Sequence, residues 1–551
     1  MSKNLSHLSG RKGLEFNLFE KLGIISESAG TPSIEELEKL KDDFLFGTAN
    51  LYGAVTFYDF LKPENKDKKV YVCNGTACMC AGTQNSVKEK LLNHFQENEI
   101  GEMCCLGRCH ENFAFHLEGQ NFSGTRGLEV IENLQKVHSG SGKDTYTILG
   151  TGNAILVHAE ESETFCKEYI KKLYSRTPEE VLAEIMTAGL RGRGGAGFPI
   201  GIKLESCKKT DSDIKFIVCN ADEGDPGAYS DRYLMEHKPL TLLMGMITAG
   251  YVTGATWGVL YIRAEYPESV QIVSTAIENL VQWKIINPDS ENNGHPFRFK
   301  VIKAQGAYIC GEETALLSSI EGQRPEVRVR PPYPAQTGLF QKPTVVNNVE
   351  TLAALPYILT RGGKSYAALG KGKSTGTKLL SLDGYFNRPG IYEVDMGYPL
   401  SDVIYDLGKG FKEKIKAIQI GGPLGGVVPI HKTVDLTVDF ESFQRNGFLL
   451  GHASLVCIPE RYPMIDYIRH LFYFTAHESC GKCFPCRIGS TRGYEMVDKA
   501  LQENYRLKRE LVHDLLETME TGSLCALGGG LPLPIKNILM YFEDELSVYF
   551  N

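Results

Sequence analysis

Fifteen cysteines constrain this chain more than any other feature, because many of them fall into two clusters at short, fixed spacings. Toward the C-terminus, ESCGKCFPCRIG carries Cys480, Cys483 and Cys486 as a C-x2-C-x2-C run. That spacing puts three thiolates on one tight loop, as a cubane [4Fe–4S] cluster requires. The fourth ligand must come from elsewhere, and Cys525 in GSLCALGGG is the only cysteine further downstream. Zinc on the same four residues is the alternative, and the closely spaced third cysteine weighs against it.

The second cluster is Cys73 and Cys78 (C-x4-C) followed by Cys105 and Cys109 (C-x3-C). Four thiolates on two loops suit a [2Fe–2S] cluster, whose two irons each need a pair of sulfurs. Structural zinc and buried free thiols are the competing readings. The mixture of glycine and cysteine in both loops favours iron and sulfide. Cys80 and Cys104 are surplus, and Cys104 in place of Cys105 stays open.

A secreted disulfide framework would predict a short chain with an apolar leader. This chain has 551 residues and begins MSKNLSHLSGRKGLEF, which has no such leader, so the expected compartment is the reducing cytoplasm. A formal charge of −8 gives no reason to expect nucleic acid or an anionic membrane as partner. From Leu240 to Ile262 the sequence carries no charge and is long enough to span a bilayer. Its glycines and threonines, and the change to a β-rich WGVLYIR, instead predict a buried helix followed by a buried strand, with no membrane insertion.

The length suits three to five domains. Residues 1–66 read as short helices, with Ser33 as an N-cap. Residues 67–140 alternate strand and helix as a small α/β domain, and HSGSGKD at 138–144 reads as a linker. A region at 145–365 opens with Thr177-Pro178, a cap followed by a first-turn proline, and mixes glycine-rich loops with apolar strands. Short β-runs fill 375–455, and 456–551 is rich in helix formers. The class is multidomain α/β.

AGLRGRGGAGFPIGIK places Gly192, Gly194, Gly195 and their neighbours just before Lys203. Glycines let backbone N–H groups approach a phosphate, and lysine adds a point charge. The loop matches neither a P-loop nor a Rossmann fingerprint, and alone it fits a plain flexible loop equally well. Further along the chain, IVCNADEGDPGAYSDR reads as a strand ending in Asn220, Asp222, Glu223 and Asp225. Carboxylates there suit sugar hydroxyls and flavin edges.

Taken together and in order, GLRGRGGAGFP-x-G-x-K, CNADE-x-x-PG, YICGEETAL, VVNNVETL and ESCGKCFPCRIG resemble the family of NADH-oxidising flavoprotein subunits of respiratory complex I, NAD-linked hydrogenases and formate dehydrogenases. LYGAVTFY and CNGTACMC…CLGRC resemble the small thioredoxin-like [2Fe–2S] subunit of that complex, here joined at the N-terminus. The resemblance implies FMN held by Gly192, Arg193, Gly194, Gly195, Lys203, Asn220, Asp222, Glu223, Tyr308, Gly311, Glu312, Glu313, Asn347 and Asn348. It implies NAD(H) lying near Phe198 and Glu313, with Tyr333 stacked on adenine. It also implies an SLBB (ubiquitin-like) β-grasp domain at 375–455 and a helical [4Fe–4S] domain after it.

Leu204, Glu205 and Ser206 stand where the family has aromatics, so a second adenine-stacking ring is missing, worth about 1 kcal/mol. Asp225 replaces the family's usual glutamate, and its charge is expected to disfavour NADPH. The expected function is hydride exchange between NAD(H) and FMN, which needs alignment rather than a protein acid or base, so no side chain is assigned a catalytic role. Single electrons then pass to an iron–sulfur partner subunit and the catalytic subunit of a larger complex. A soluble hydrogenase or formate dehydrogenase is the first reading, and a peripheral complex I subunit the second. A zinc-stabilised scaffold without flavin is the alternative of another class.

Overall fold

A computed structural model describes residues 13–14, 17–29, 32–134, 145–286, 296–503 and 505–551. The expected linker at 138–144 falls outside them.

The centre is a four-stranded, all-parallel sheet. Phe216–Ala221 pairs on one side with Trp257–Ile262, which pairs with Arg298–Lys303, and on the other side with Thr344–Asn348. Its strands are apolar on both faces because both faces are covered. Ile217, Cys219 and Leu260 face the helix Pro239–Thr253, whose Leu242, Leu243 and Ile247 are buried against them. Val218, Val259 and Tyr261 face the N-terminal helices, through Leu18, Phe19, Phe44 and Tyr58. Each fully buried side chain of this size contributes about 1.5–3 kcal/mol. The uncharged stretch from Leu240 is thus a buried helix followed by a buried strand. No helix among the described residues is long and apolar enough to cross a membrane.

The N-terminal segment forms helices at Leu18–Ala29, Ile34–Phe44 and Thr48–Val55, the second closed by a Ser33–Glu36 capping box. Next comes a small sheet. Val70–Cys73 lies between a parallel strand, Ile100–Met103, and the hairpin Phe115–Leu117 and Gln120–Phe122. Glu118 and Gly119, both at positive φ, make the tight hairpin turn.

The third sheet has six strands. Thr377–Leu382 runs antiparallel to Gly390–Asp395 and parallel to Ser454–Pro459, while Ile415–Ile420 and Gly426–Pro429 extend the far side. Its outer strand is Thr147–Gly150, paired parallel with Gly390–Asp395. The start of the 145–365 segment therefore completes the sheet of the later segment. The C-terminal region is helical, with Met464–Glu478, Phe484–Gln502, Arg509–Gly522 and Pro532–Tyr541 packed on this sheet through Leu471, Leu516 and Ile538.

Candidate functional site

In the central sheet the chain runs outward from Phe216–Ala221 in one direction and returns to its other side with Thr344–Asn348. Strand order thus reverses between these two, and a crevice opens beyond their carboxyl ends, where open α/β sheets bind ligands. Cys219 and Asn220 sit in register with Asn347 and Asn348, so the two strand ends deliver Asn220, Asp222, Asn347 and Asn348 to one place. Asn220 Nδ2 donates to Gly311 O at 2.7 Å, tying in the Tyr308–Gly311 turn. Asn348 Nδ2 donates to Asp231 Oδ2 at 2.6 Å, and its Oδ1 accepts from Thr351 N.

The glycine-rich loop closes over the same place. Gly192 N–H donates to Phe198 O at 2.8 Å, and a Cβ on Gly194 would stand 2.9 Å from that of Asn348. Around Gly192, Gly195 and Gly311 the nearest atoms are 3.4 Å or more from where a Cβ would be, so the floor of the crevice is open backbone. Lys203, on the helix Ile200–Lys209, reaches Glu313 at 2.9 Å and Val346 O at 3.2 Å. Arg330 holds the other oxygen of Glu313 at 2.8 Å. Glu312 caps the helix Glu313–Ile320 by accepting from Thr314 and Ala315 N–H. Phe198 and Tyr333 are exposed on the rim.

Three expected contacts point elsewhere. The Arg193 guanidinium is buried against Tyr366 Oη and Thr375 O, so only its backbone belongs to the loop. The oxygens of Glu223 accept from the N–H groups of Asp231 and Arg232, fixing the helix Ser230–His237. Asp225 accepts from Tyr308 Oη, and its other oxygen lies 2.7 Å from His452 Nε2. His452 was not singled out by sequence, since nothing in GHASL marks it. Its Nδ1 accepts from Ser454 N–H at 3.2 Å, which leaves Nε2 as the protonated nitrogen of the neutral ring. Asp225 raises the His452 pKa against the effect of burial. Leu204 is buried in the core and cannot stack on a ligand.

The first cysteine set converges at the ends of the small sheet. Cys73 ends its strand, Cys78 lies in the helix Thr76–Ala81, and Cys105 and Cys109 lie on the loop after Ile100–Met103. Cys105 Sγ is 3.4 Å from Cys109 Sγ, and Cys73 is hydrogen-bonded to Cys78. These crowded thiols cannot all ionise unaided. The bond to Cys109 pulls Cys105 down to about 7, while Cys73 and Cys109 are pushed well above the ordinary thiol value. A set of this kind binds iron or zinc as thiolates. Cys104 lies outside it and lines a separate cavity. The loop 222–229 touches the set directly, as Gly227 N–H donates to Cys109 Sγ at 3.3 Å.

The second set gathers between helix ends. Cys480 follows Met464–Glu478, Cys483 and Cys486 open Phe484–Gln502, and Cys525 precedes the short helix Ala526–Gly530. All four share one packed group with Ile309, Ala315 and Tyr308 of the crevice. A Cβ on Gly528 would fall 2.6 Å from the Cβ of Cys486, so only glycine lets the Cys525 turn come this close.

The chemistry of the crevice fits a flavin nucleotide. It has an open backbone floor, a lysine, and two buried polar atoms, Asn347 Nδ2 and Asp222 Oδ2, without hydrogen-bond partners among the described residues.

Comparison with known proteins agrees with this geometry. The Nuo51 FMN-binding domain family matches residues 185–357, and the iron–sulfur binding region of NADH-ubiquinone oxidoreductase-F matches residues 466–549. The NADP-reducing hydrogenase subunit HndC of Solidesulfovibrio fructosivorans is 39% identical over 70% of this chain and 79% of its own. The flavoprotein 1 of the mitochondrial NADH dehydrogenase [ubiquinone] of Dictyostelium discoideum is 36% identical over 68% of this chain and 80% of its own. A chain of an NAD+-reducing [NiFe]-hydrogenase, solved in the air-oxidized state, superposes with a TM-score of 0.85 at 26% identity. That match covers 100% of this chain and 95% of the other.

Proposed function

Because the chain belongs to the family of FMN- and iron–sulfur-binding flavoprotein subunits of NADH-quinone oxidoreductases and hydrogenases, we propose that it is a diaphorase subunit. It exchanges hydride between NAD(H) and FMN and sends single electrons through [4Fe–4S] and [2Fe–2S] clusters to a partner subunit. The partner belongs to a soluble NAD-linked hydrogenase or formate dehydrogenase. The observation that carries this reading is the crevice itself, with its open backbone floor and orphaned Asn347 and Asp222 atoms, packed against four gathered thiols. FMN held there supplies hydride acceptance, and the clusters supply one-electron chemistry.

The protein's part is binding, alignment and exclusion of water. Lys203 presents its charge beside the glycine loop, and Glu313 holds that lysine in place with help from Arg330. Asn220 fixes the Tyr308–Gly311 turn as the far wall. Phe198 and Tyr333 offer aromatic faces on the rim to a nicotinamide nucleotide. Cys73, Cys78, Cys105 and Cys109 would hold the smaller cluster, and Cys480, Cys483, Cys486 and Cys525 the larger. Since Asp225 shares its charge with His452, it discriminates against NADPH less than a lone carboxylate would.

The hydrogenase reading is supported by the structural likeness that takes in the whole chain, including the N-terminal thiol set. The second reading, a peripheral subunit of a complex I, rests on the motifs that both groups share. In the test, reconstituted protein should carry bound FMN and about six Fe per chain, four plus two by cluster type, and should reduce a viologen dye with NADH. Lys203→Ala should lower that rate on the order of 10²-fold through lost alignment. Colourless, inactive protein with zinc in both thiol sets would refute the proposal.

A further inference from the structure

A small cavity lies where four segments meet, behind the crevice and between the two thiol sets. Its walls include Asp59 just after the N-terminal helices, Cys104 just after the strand Ile100–Met103, Asp222, Arg263 and Glu265 from the central domain, and Glu478 from the helix leading to Cys480. At about 10 Å³ it has room for one ion or one water molecule.

Four carboxylates thus face one space. Arg263 answers Glu265 at 2.7 Å, and Lys62 answers Asp59 at 2.7 Å. Glu478 Oε2 accepts a backbone N–H, from Tyr308 at 2.9 Å. Glu265 is 4% exposed, and its Oε2 has no hydrogen-bond partner among the described residues; Asp222, 7% exposed, leaves Oδ2 in the same state. Asp222 also borders the flavin crevice, whereas Glu265 takes no part in it. A buried acceptor without a donor costs about 1–3 kcal/mol, and more when charged.

Beside this wall, His477 offers an imidazole nitrogen 3.7 Å from Asp59 Oδ1. One ligand atom each from Asp59, His477 and Glu478 lies within 4.8 Å of the others. His477 is half exposed, which gives an ion a way in. Two carboxylates with one imidazole suit a hard-to-borderline divalent ion such as Mn2+, and none of these three ligands is a thiolate of the kind that selects softer metals.

We propose that Asp59, His477 and Glu478 form a divalent-cation site, with the buried acid Glu265 on the adjoining cavity wall. The ion ties the N-terminal helices to the turn that carries Cys480. It is distinct from both thiol sets.

The test uses holoenzyme from Mn2+-supplemented cultures, further titrated with Mn2+, and counts every divalent ion other than cluster iron. The expected total is one per chain in the unaltered protein, with Asp59→Asn and His477→Gln each weakening binding by about 10–100-fold. Glu478 is two residues from Cys480, at most about 7 Å of chain. Bound Mn2+ should therefore broaden the EPR signal of the reduced [4Fe–4S] cluster, and this broadening should vanish in both variants. His477 is on the surface, so His477→Gln should fold and keep its flavin and iron. No additional ion in the unaltered protein, or equal amounts in both variants, overturns the site. The ion count does not depend on the flavin, so either result leaves the diaphorase reading to its own test.

Discussion

The two thiol sets contain the same four side chains in opposite settings. Cys73, Cys78, Cys105 and Cys109 are all at most 2% exposed. They are sealed by the loop 222–229, by Tyr266 and by Gly384, whose N–H donates to Cys109 O at 2.9 Å. Of the second set, only Cys480 and Cys486 are buried; Cys483 and Cys525 are half buried. Around them Phe484, 68% exposed, lies with Ile488 and Leu524 on the surface. A sealed set is closed to soluble reagents, and its nearest neighbour is the loop that borders the flavin crevice. An open set ringed by apolar side chains can trade with a second protein. On the proposed electron path, burial would make the first set the inner site and the second the exit.

The largest expected effect breaks the comparison chemically. A chelator with a mild oxidant should strip about four of six Fe while the remaining two persist, because only the open set admits reagents. Iron analysis alongside EPR follows both clusters, and simultaneous loss would show that the sealed set is not sealed. Next comes the seam. A Cβ on Gly107 would fall 2.6 Å from the Tyr266 ring, and the residue sits at φ +67°. Gly107→Val should therefore cost about 2–4 kcal/mol from strain and overpacking. It should lower Tm and make the sealed cluster as labile as the open one. Smaller again, Phe484→Ser should leave both clusters and NADH-dye activity intact while weakening the partner complex by about 1–3 kcal/mol. Unchanged affinity would move the exit elsewhere.

The contrast between the sets was only half readable in the chain. C-x2-C-x2-C fixes three ligands on one loop, and the local spacing carries that information whatever the rest of the fold does. The sealing of the other set depends on contacts between residues more than a hundred positions apart, such as Gly227 with Cys109, and no periodicity encodes them. Strand and helix positions at Ser33, Thr177 and Trp257 followed from caps and patterning, which are local rules. The strand Thr147–Gly150 joins a sheet otherwise built some 230 residues later, and its short sequence does not name its partner. Side-chain direction was the least legible. Arg193 and Glu223 occupy motif positions, yet the structure turns one toward Tyr366 and the other toward a helix N-terminus. His452 emerged only once the third sheet carried it to Asp225.

The titration of Asp383 tests the sealed seam. Asp383 precedes Gly384 at the seam and accepts from the N–H groups of Cys457 and Tyr385. Burial pushes its carboxyl from 3.8 up to about 7. The unfolded chain releases that proton near 4 and the folded protein keeps it until about 7, so between those values the folded state binds more protons. Stability from this group is then complete below the unfolded pKa and declines as pH rises through about 7, by at most about 1.4 kcal/mol per pH unit. Asp383→Asn cannot ionise and keeps an acceptor for one of the two N–H groups. Its Tm should fall less between about pH 5 and pH 8 than that of the unaltered protein, with the visible absorbance of the sealed cluster as the probe. Parallel Tm profiles would mean that water reaches Asp383. The seam would then be open to solvent, and the distinction between an internal cluster and an exit cluster would lose its physical basis.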